Sequence, residues 1–88
     1  TYNIVLGRWG GEEFVAVCYD MDIKEAAKIA DGIRKKISEV KFEKAGKLTC
    51  SIGLTELKSG DDSKTVFDRV DKAMYEAKNN GRNCVVVK

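Results

Sequence analysis

The chain has 88 residues, of which 43% are hydrophobic, with 16 Lys and Arg, 14 Asp and Glu, three Cys and no His or Pro. That length allows one domain or a piece of one, the apolar content excludes a disordered tail, and the missing histidines exclude His-based acid–base pairs, Ser–His triads and most zinc sites. A net charge of +2 is too small to argue for a nucleic-acid partner, no apolar run approaches the ~20 residues of a membrane span, and the start lacks a signal-peptide pattern.

Taken in chain order, Tyr2 to Arg8 reads as a short strand, with Ile4 and Leu6 on one side and Val5 on the other. Glu12 to Tyr19 reads as a second strand. Phe14, Ala16 and Cys18 alternate there with Val15, Val17 and Tyr19, so both faces are apolar and burial on both sides is expected. Gly10-Gly11 between them marks a β-hairpin turn, because glycine tolerates positive φ. Asp22 with Glu25 resembles a capping box. Ile23, Ala26, Ala27, Ala30, Ile33, Ile37 and Val40 then recur at helical spacing as one apolar stripe. Lys41 to Lys47 reads as a polar connector.

Leu48, Cys50, Ile52 and Leu54 alternate with Thr49, Ser51, Gly53 and Thr55, the pattern of a half-buried strand. Gly53 inside it points to a close backbone approach. Asp62 or Ser63 is placed to cap a second helix, with Val66, Phe67, Val70, Ala73, Met74 and Ala77 on its buried side. Gly81 ends that helix, and Cys84 to Val87 forms a last strand. The order is strand, strand, helix, strand, helix, strand. The fold class expected is α+β, with a mostly antiparallel sheet and two helices.

Charge is spread unevenly. Residues 24–47 carry eight Lys or Arg against four acids, whereas residues 1–22 carry one Arg against four acids. Such a run is most simply a solvated helix face. The cysteines, 18, 50 and 84, lack a CxxC spacing and are odd in number, so they read as small strand hydrophobes in a reducing cytoplasm. Trp9 reads as a packing residue, and Tyr75 as half-buried with its hydroxyl in water.

The stretch richest in chemistry is Arg8-Trp9-Gly10-Gly11-Glu12-Glu13-Phe14. A turn without side chains lets a ligand lie against bare backbone N–H groups, which can cradle phosphate. Glu12 follows at the mouth of the hairpin, where a carboxylate suits Mg2+ bound together with substrate phosphate. Glu13, next along a strand, points to the opposite face. On physics alone a plain hairpin with two solvated glutamates accounts for the stretch more simply. Lys78 and Arg82, four apart at the end of the second helix, read by themselves as cations favoured at a helix C-terminus.

The same residues resemble a known family. Gly10-Gly11-Glu12-Glu13-Phe14 is similar to the signature of the GGDEF domain, the diguanylate cyclases, in its GGEEF form. Arg8 fits the family, as does the helix Ala26 to Arg34. Thr49-Cys50-Ser51-Ile52-Gly53 resembles its T-x-S-I-G strand. Asp71-Lys72-Ala73-Met74-Tyr75-Glu76-Ala77-Lys78-Asn79-Asn80-Gly81-Arg82-Asn83 resembles its closing helix, with Val70 where Ala is usual. The resemblance covers essentially all 88 residues.

The resemblance implies a bacterial signalling enzyme that makes cyclic di-GMP from two GTP, one on each domain of a homodimer, with Mg2+ or Mn2+. It implies Gly10 and Gly11 along the GTP, Glu12 as metal ligand and catalytic residue, Glu13 as a second catalytic acid, and Lys78 and Arg82 on the triphosphate. The runner-up is a non-catalytic GTP-binding or signalling-interaction module.

The sequence also departs from the family. It lacks the preceding strand and two helices, which supply a further metal-binding Asp and the residues that read guanine. Residues 1–88 are therefore expected to be the C-terminal part of a single GGDEF domain with a partial palm-like fold, inactive alone. The inhibitory product site is not expected, since Thr1-Tyr2-Asn3-Ile4 stand at its positions. The strands left without their middle partner are expected to pair directly or to take strands from another copy. A cytoplasmic location is expected, with any sensor or membrane anchor lying upstream.

Overall fold

In a computed structural model of the chain, residues 3–42 and 46–88 are described. Thr1 and Tyr2, where the first strand is expected to begin, lie outside the described residues, as do positions 43–45 of the connector. The elements run β1 (Ile4–Gly10), β2 (Glu13–Cys18), α1 (Ile23–Glu39), β3 (Lys41–Phe42), β4 (Gly46–Lys47), β5 (Ser51–Glu56), α2 (Ser63–Asn79) and β6 (Val85–Val87). The α+β class and the order of the main elements follow the sequence reading. The connector holds a short antiparallel ribbon, in which Lys41 pairs with Lys47 and Phe42 with Gly46.

The main sheet has the order β1-β2-β5-β6. It is mixed, not mostly antiparallel. The β1–β2 hairpin is antiparallel, but β2–β5 and β5–β6 are both parallel. The reason is the chain path. Each parallel pair is joined through a helix, and a helical crossover returns the chain to run in the same direction. Of the two outcomes expected for β2 and β5, the structure takes direct pairing, from Glu13 with Ser51 to Cys18 with Glu56.

The helices cover opposite faces. On one face Ala16, Cys18, Cys50, Ile52 and Leu54 pack with Ala26 and Ala30 of α1, joined by Phe14, Ile37 and Val85. On the other face α2 comes so close to Gly53 that a Cβ there would lie 3.0 Å from the Met74 nitrogen and 3.1 Å from the Ala73 Cβ. This is the close approach that Gly53 announces. Burying large aliphatics such as Ile52 and Leu54 contributes about 1.5–3 kcal/mol each.

Burial along β2 and β5 is the reverse of the sequence reading. Ser51 to Thr55 of β5 are all buried, whereas in β2 only Ala16 and Cys18 are, with Val15 and Val17 half-buried. β5 lies between two strands and under both helices. Its polar alternates are small, so α2 settles on them and water is excluded. The Thr55 hydroxyl, fully buried, receives a 2.7 Å hydrogen bond from Arg69 Nε and donates to the Lys88 carbonyl at 3.0 Å.

Other expectations shift in detail. Asp22 caps α1 by accepting from the Lys24 N–H at 2.9 Å, while the reciprocal capping box belongs to α2, between Asp62 and Thr65. Ile33 and Phe67 are exposed because each lies at the margin of a helix stripe wider than the strip of sheet it covers, Val40 is exposed as the C-cap of α1, and Tyr75, expected half-buried, is exposed on the side of α2 turned away from the buried stripe. Phe67 instead meets Trp9 across the hairpin, with ring centroids 4.7 Å apart. Cys18 and Cys50 are buried, and burial pushes both thiols above their ordinary range. Cys84 is half-buried just before β6.

Candidate functional site

The site grows from the end of the hairpin. Gly10 pairs with Glu13, leaving Gly11 and Glu12 as a two-residue turn. Gly11 has φ +28°, and a Cβ there would meet nothing within 4 Å. Between the Arg8–Phe14 and Gly10–Glu13 pairs the register shifts, so Trp9 is an extra residue on β1. Arg8 braces the turn, its Nε donating to the Gly11 carbonyl at 3.1 Å. On the far side the Ser51 N–H donates to the Glu12 carbonyl at 3.0 Å, tying the turn to β5.

These contacts frame a hollow of about 220 Å3 lined by Gly10, Gly11, Glu12, Glu13, Thr49, Ser51 and Arg82. Five of the six residues singled out from the sequence border it. Lys78, the sixth, is not part of its lining and reaches it only through Glu13. The side chain that gathers the cations is Glu13, not Glu12. Glu13 Oε2 lies 3.1 Å from Arg82 Nη1 and 3.2 Å from Lys78 Nζ. Strand alternation explains the choice, because Glu13 shares the α2 face with Val15 and so faces the helix that carries both cations. Glu12 is exposed, and among the described residues it has no ion-pair partner. It also borders a second, apolar hollow with Arg8, Phe14 and Ile37 on the α1 side.

Arg82 reaches the hollow because α2 ends in a Schellman turn. The Gly81 N–H donates to the Lys78 carbonyl at 3.3 Å and the Arg82 N–H to the Ala77 carbonyl at 2.9 Å. Gly81 adopts φ +94°, which glycine accepts without strain. Thr49 and Ser51 were not assigned a role from the sequence. Their signal lay in the T-x-S-I-G resemblance, which marks both positions.

Chemically, the hollow offers bare turn backbone, two hydroxyl side chains, a guanidinium and two carboxylates. The hollow, of about 220 Å3, adjoins the apolar one, with which it shares Gly11, Glu12 and Thr49. Glu12 and Glu13 balance Lys78 and Arg82 in charge. A triphosphate arriving there needs counter-ions of its own. Among the described residues no group of three or more His, Cys, Asp or Glu is placed to hold a metal ion. Glu12, exposed beside the turn, is a single carboxylate donor of the kind that suits one position on a divalent cation.

Comparison with known proteins bears on this geometry. Residues 3–84 match the family described as diguanylate cyclase, GGDEF domain. The chain is 38% identical over 79 residues to diguanylate cyclase DgcM of Escherichia coli (strain K12), covering 90% of this chain and 19% of that protein. It is 37% identical over 84 residues to diguanylate cyclase A of Treponema denticola, covering 91% and 23%. It is 38% identical over 87 residues to the response regulator PleD of Caulobacter vibrioides, covering 92% and 19%. The chain thus spans about a fifth of the length of these relatives. No solved structure matches it significantly.

Proposed function

The chain belongs to the GGDEF domain family of diguanylate cyclases, and from that premise we propose that it is the phosphate-holding part of an enzyme that condenses two GTP into cyclic di-GMP and pyrophosphate. The observation that carries the reading is the shared hollow, in which Gly10, Gly11 and Glu12 face Arg82 across the end of the sheet.

In this reading the triphosphate lies along the glycine turn. Arg82 binds its oxygens through charge-assisted hydrogen bonds, and Lys78 does so once released from Glu13. Glu12 is the residue that would hold Mg2+ or Mn2+, and its carboxylate takes the proton from the attacking hydroxyl. The divalent cation, when bound, neutralises charge on the phosphates. The 3′-oxygen of one GTP bonds to the α-phosphorus of the other as the α–β P–O bond breaks, and pyrophosphate leaves with the electron pair. Two domains, each holding one GTP, face each other so that the step happens twice. Positioning supplies much of the acceleration.

In this reading residues 1–88 are the C-terminal part of one such domain, and groups outside the hollow hold the base. The test is Glu12→Gln in the full-length protein, incubated with GTP and Mg2+ and assayed for cyclic di-GMP by chromatography. Loss of at least about 100-fold in turnover is expected, since metal and proton chemistry both lose the carboxylate. Unchanged turnover overturns the reading. The 88-residue chain alone is expected to bind without turnover. In this second reading, a GTP-binding module, the phosphates displace Glu13 from Lys78 and Arg82 without a chemical step following.

A further inference from the structure

After α2 the backbone enters the left-handed region at three successive residues: Gly81 at φ +94°, Arg82 at +64° and Asn83 at +48°. Glycine adopts this region freely, asparagine tolerates it, and arginine does so only when its surroundings demand it. The Schellman bonds account for Gly81, the residue that follows the cap of α2, and leave the left-handed φ of Arg82 and Asn83 to be explained. Asn83 is held from two other parts of the fold. Its N–H donates to Ser51 Oγ of β5 at 3.0 Å, and its side-chain carbonyl accepts from Arg34 Nη1 of α1 at 2.9 Å.

Arg34 is fixed in turn. Its Nε donates to Asp31 Oδ1 at 2.7 Å, one helical turn back, and its side chain is only 15% exposed. That bond holds the Asp31 carboxyl below its ordinary range, so the brace stays charged at neutral pH. The fork of the guanidinium spans both partners at once, with Nε on Asp31 and Nη1 on Asn83. A contact 49 residues long in sequence thus ends beside Arg82 in the hollow.

We propose that Arg34 is a positioning residue for Arg82: by clamping Asn83 it holds the left-handed loop that brings the Arg82 guanidinium to the hollow. Without the clamp, residue 83 relaxes to negative φ and the loop swings its neighbour away. The consequence for binding rests on the phosphate role given to Arg82 above. The geometric part does not.

The experiment uses the 88-residue chain, with inorganic triphosphate and Mg2+ as titrant. Calorimetry compares the unaltered chain with Arg34→Met, Arg34→Lys, Asn83→Ala, the Arg34→Met/Asn83→Ala double variant and Arg82→Ala. NMR follows the intraresidue amide–Hα cross-peaks of Arg82 and Asn83, which are strong in the left-handed region. Arg34→Met is expected to lose those cross-peaks and to weaken triphosphate binding roughly tenfold, as loss of a positioned charge-assisted contact does. Arg34→Lys keeps the charge but not the fork, and loses most of the same affinity. In the Asn83→Ala background, Arg34→Met costs nothing further. Should Arg34→Met not fold, Asn83→Ala breaks the same bond from the exposed side and carries the test.

Retained cross-peaks in Arg34→Met, or affinity within twofold of the unaltered chain while Arg82→Ala is impaired, overturn the proposal. If Arg82→Ala leaves affinity unchanged, the phosphate role fails instead, and the cross-peaks alone decide whether Arg34 positions the loop.

Discussion

Glu13 Oε2 and Arg82 Nη1, 69 residues apart in the chain, lie 3.1 Å from each other, and Lys78 shares the same oxygen at 3.2 Å. The carboxylate occupies the two cations that the phosphate reading needs. A phosphate chain entering the hollow therefore competes with Glu13 before it gains Arg82 and Lys78.

Glu13→Gln removes that competitor while keeping the side chain's shape. The affinity of the chain for inorganic triphosphate with Mg2+ is expected to rise about fivefold, the equivalent of one exposed ion pair. Binding should also fall more steeply with added salt, since two cations now meet the ligand unpaired. Titration calorimetry at low and high salt checks both. Stability should change by no more than about 1 kcal/mol, because both cations are partly exposed and remain hydrated without Glu13.

Gly53 and Gly32 make a contrasting pair. A Cβ at Gly53 would stand 3.0 Å from the Met74 nitrogen and 3.2 Å from the Val70 carbonyl oxygen, both helix backbone that has no rotamer to yield. Gly53→Ala should cost about 1–3 kcal/mol. At Gly32, inside α1, an added Cβ meets nothing within 4 Å, so Gly32→Ala should stabilise by about 0.5–1 kcal/mol through helix propensity. Urea unfolding of the two variants gives opposite signs, or the packing of α2 on β5 is wrong.

Acid sensitivity should centre on Asp61. Its carboxylate accepts from Arg69 Nη2 at 2.7 Å, Arg69 Nη1 at 3.0 Å, the Lys58 N–H at 2.8 Å and the Thr65 hydroxyl at 3.0 Å. The Arg69 bonds are the largest cause that holds it well below the ordinary value of 3.8. A group depressed in the folded state adds stability that is fully present above its unfolded value. That stability is lost as pH falls below 3.8 towards the folded value. Asp31, depressed by Arg34, acts in the same sense. Asp61→Asn should be less stable at neutral pH and show a shallower loss of stability in acid, as measured by urea midpoints across a pH series.

The thiols offer a check on burial. Cys18 and Cys50 are both buried and pushed towards the protonated form. In the folded chain a disulfide reagent should modify them only as fast as the structure opens, and all three cysteines should react at once in denaturant. Rapid labelling of Cys50 under native conditions would contradict the packing of β5 beneath α1.

Much of the site's layout could be read in advance. The Gly10–Gly11 turn, the acids after it and the Lys78–Arg82 pair are short-range patterns, and the family resemblance set them in one site. Which acid would meet the cations could not be read that way. Alternation says that Glu12 and Glu13 face opposite ways, but only the placement of α2 on the Val15 face decides that Glu13 is the one engaged. The Arg34–Asn83 bond was invisible for a similar reason. Nothing in either local pattern signals a partner 49 residues away.

By itself the sequence determined the hairpin, the two helices, the stop at Gly81 and the close approach at Gly53, because caps, glycines and apolar periods act over a few residues of chain. Tertiary structure alone decided that β2 and β5 run parallel, and that Ser51 and Thr55 are buried while Val15 and Val17 are only half so. Periodicity reports which side chains are apolar. It does not report what lies above them. Small polar residues under a helix lose water as surely as aliphatic ones do, provided hydrogen bonds such as Arg69 to Thr55 replace it.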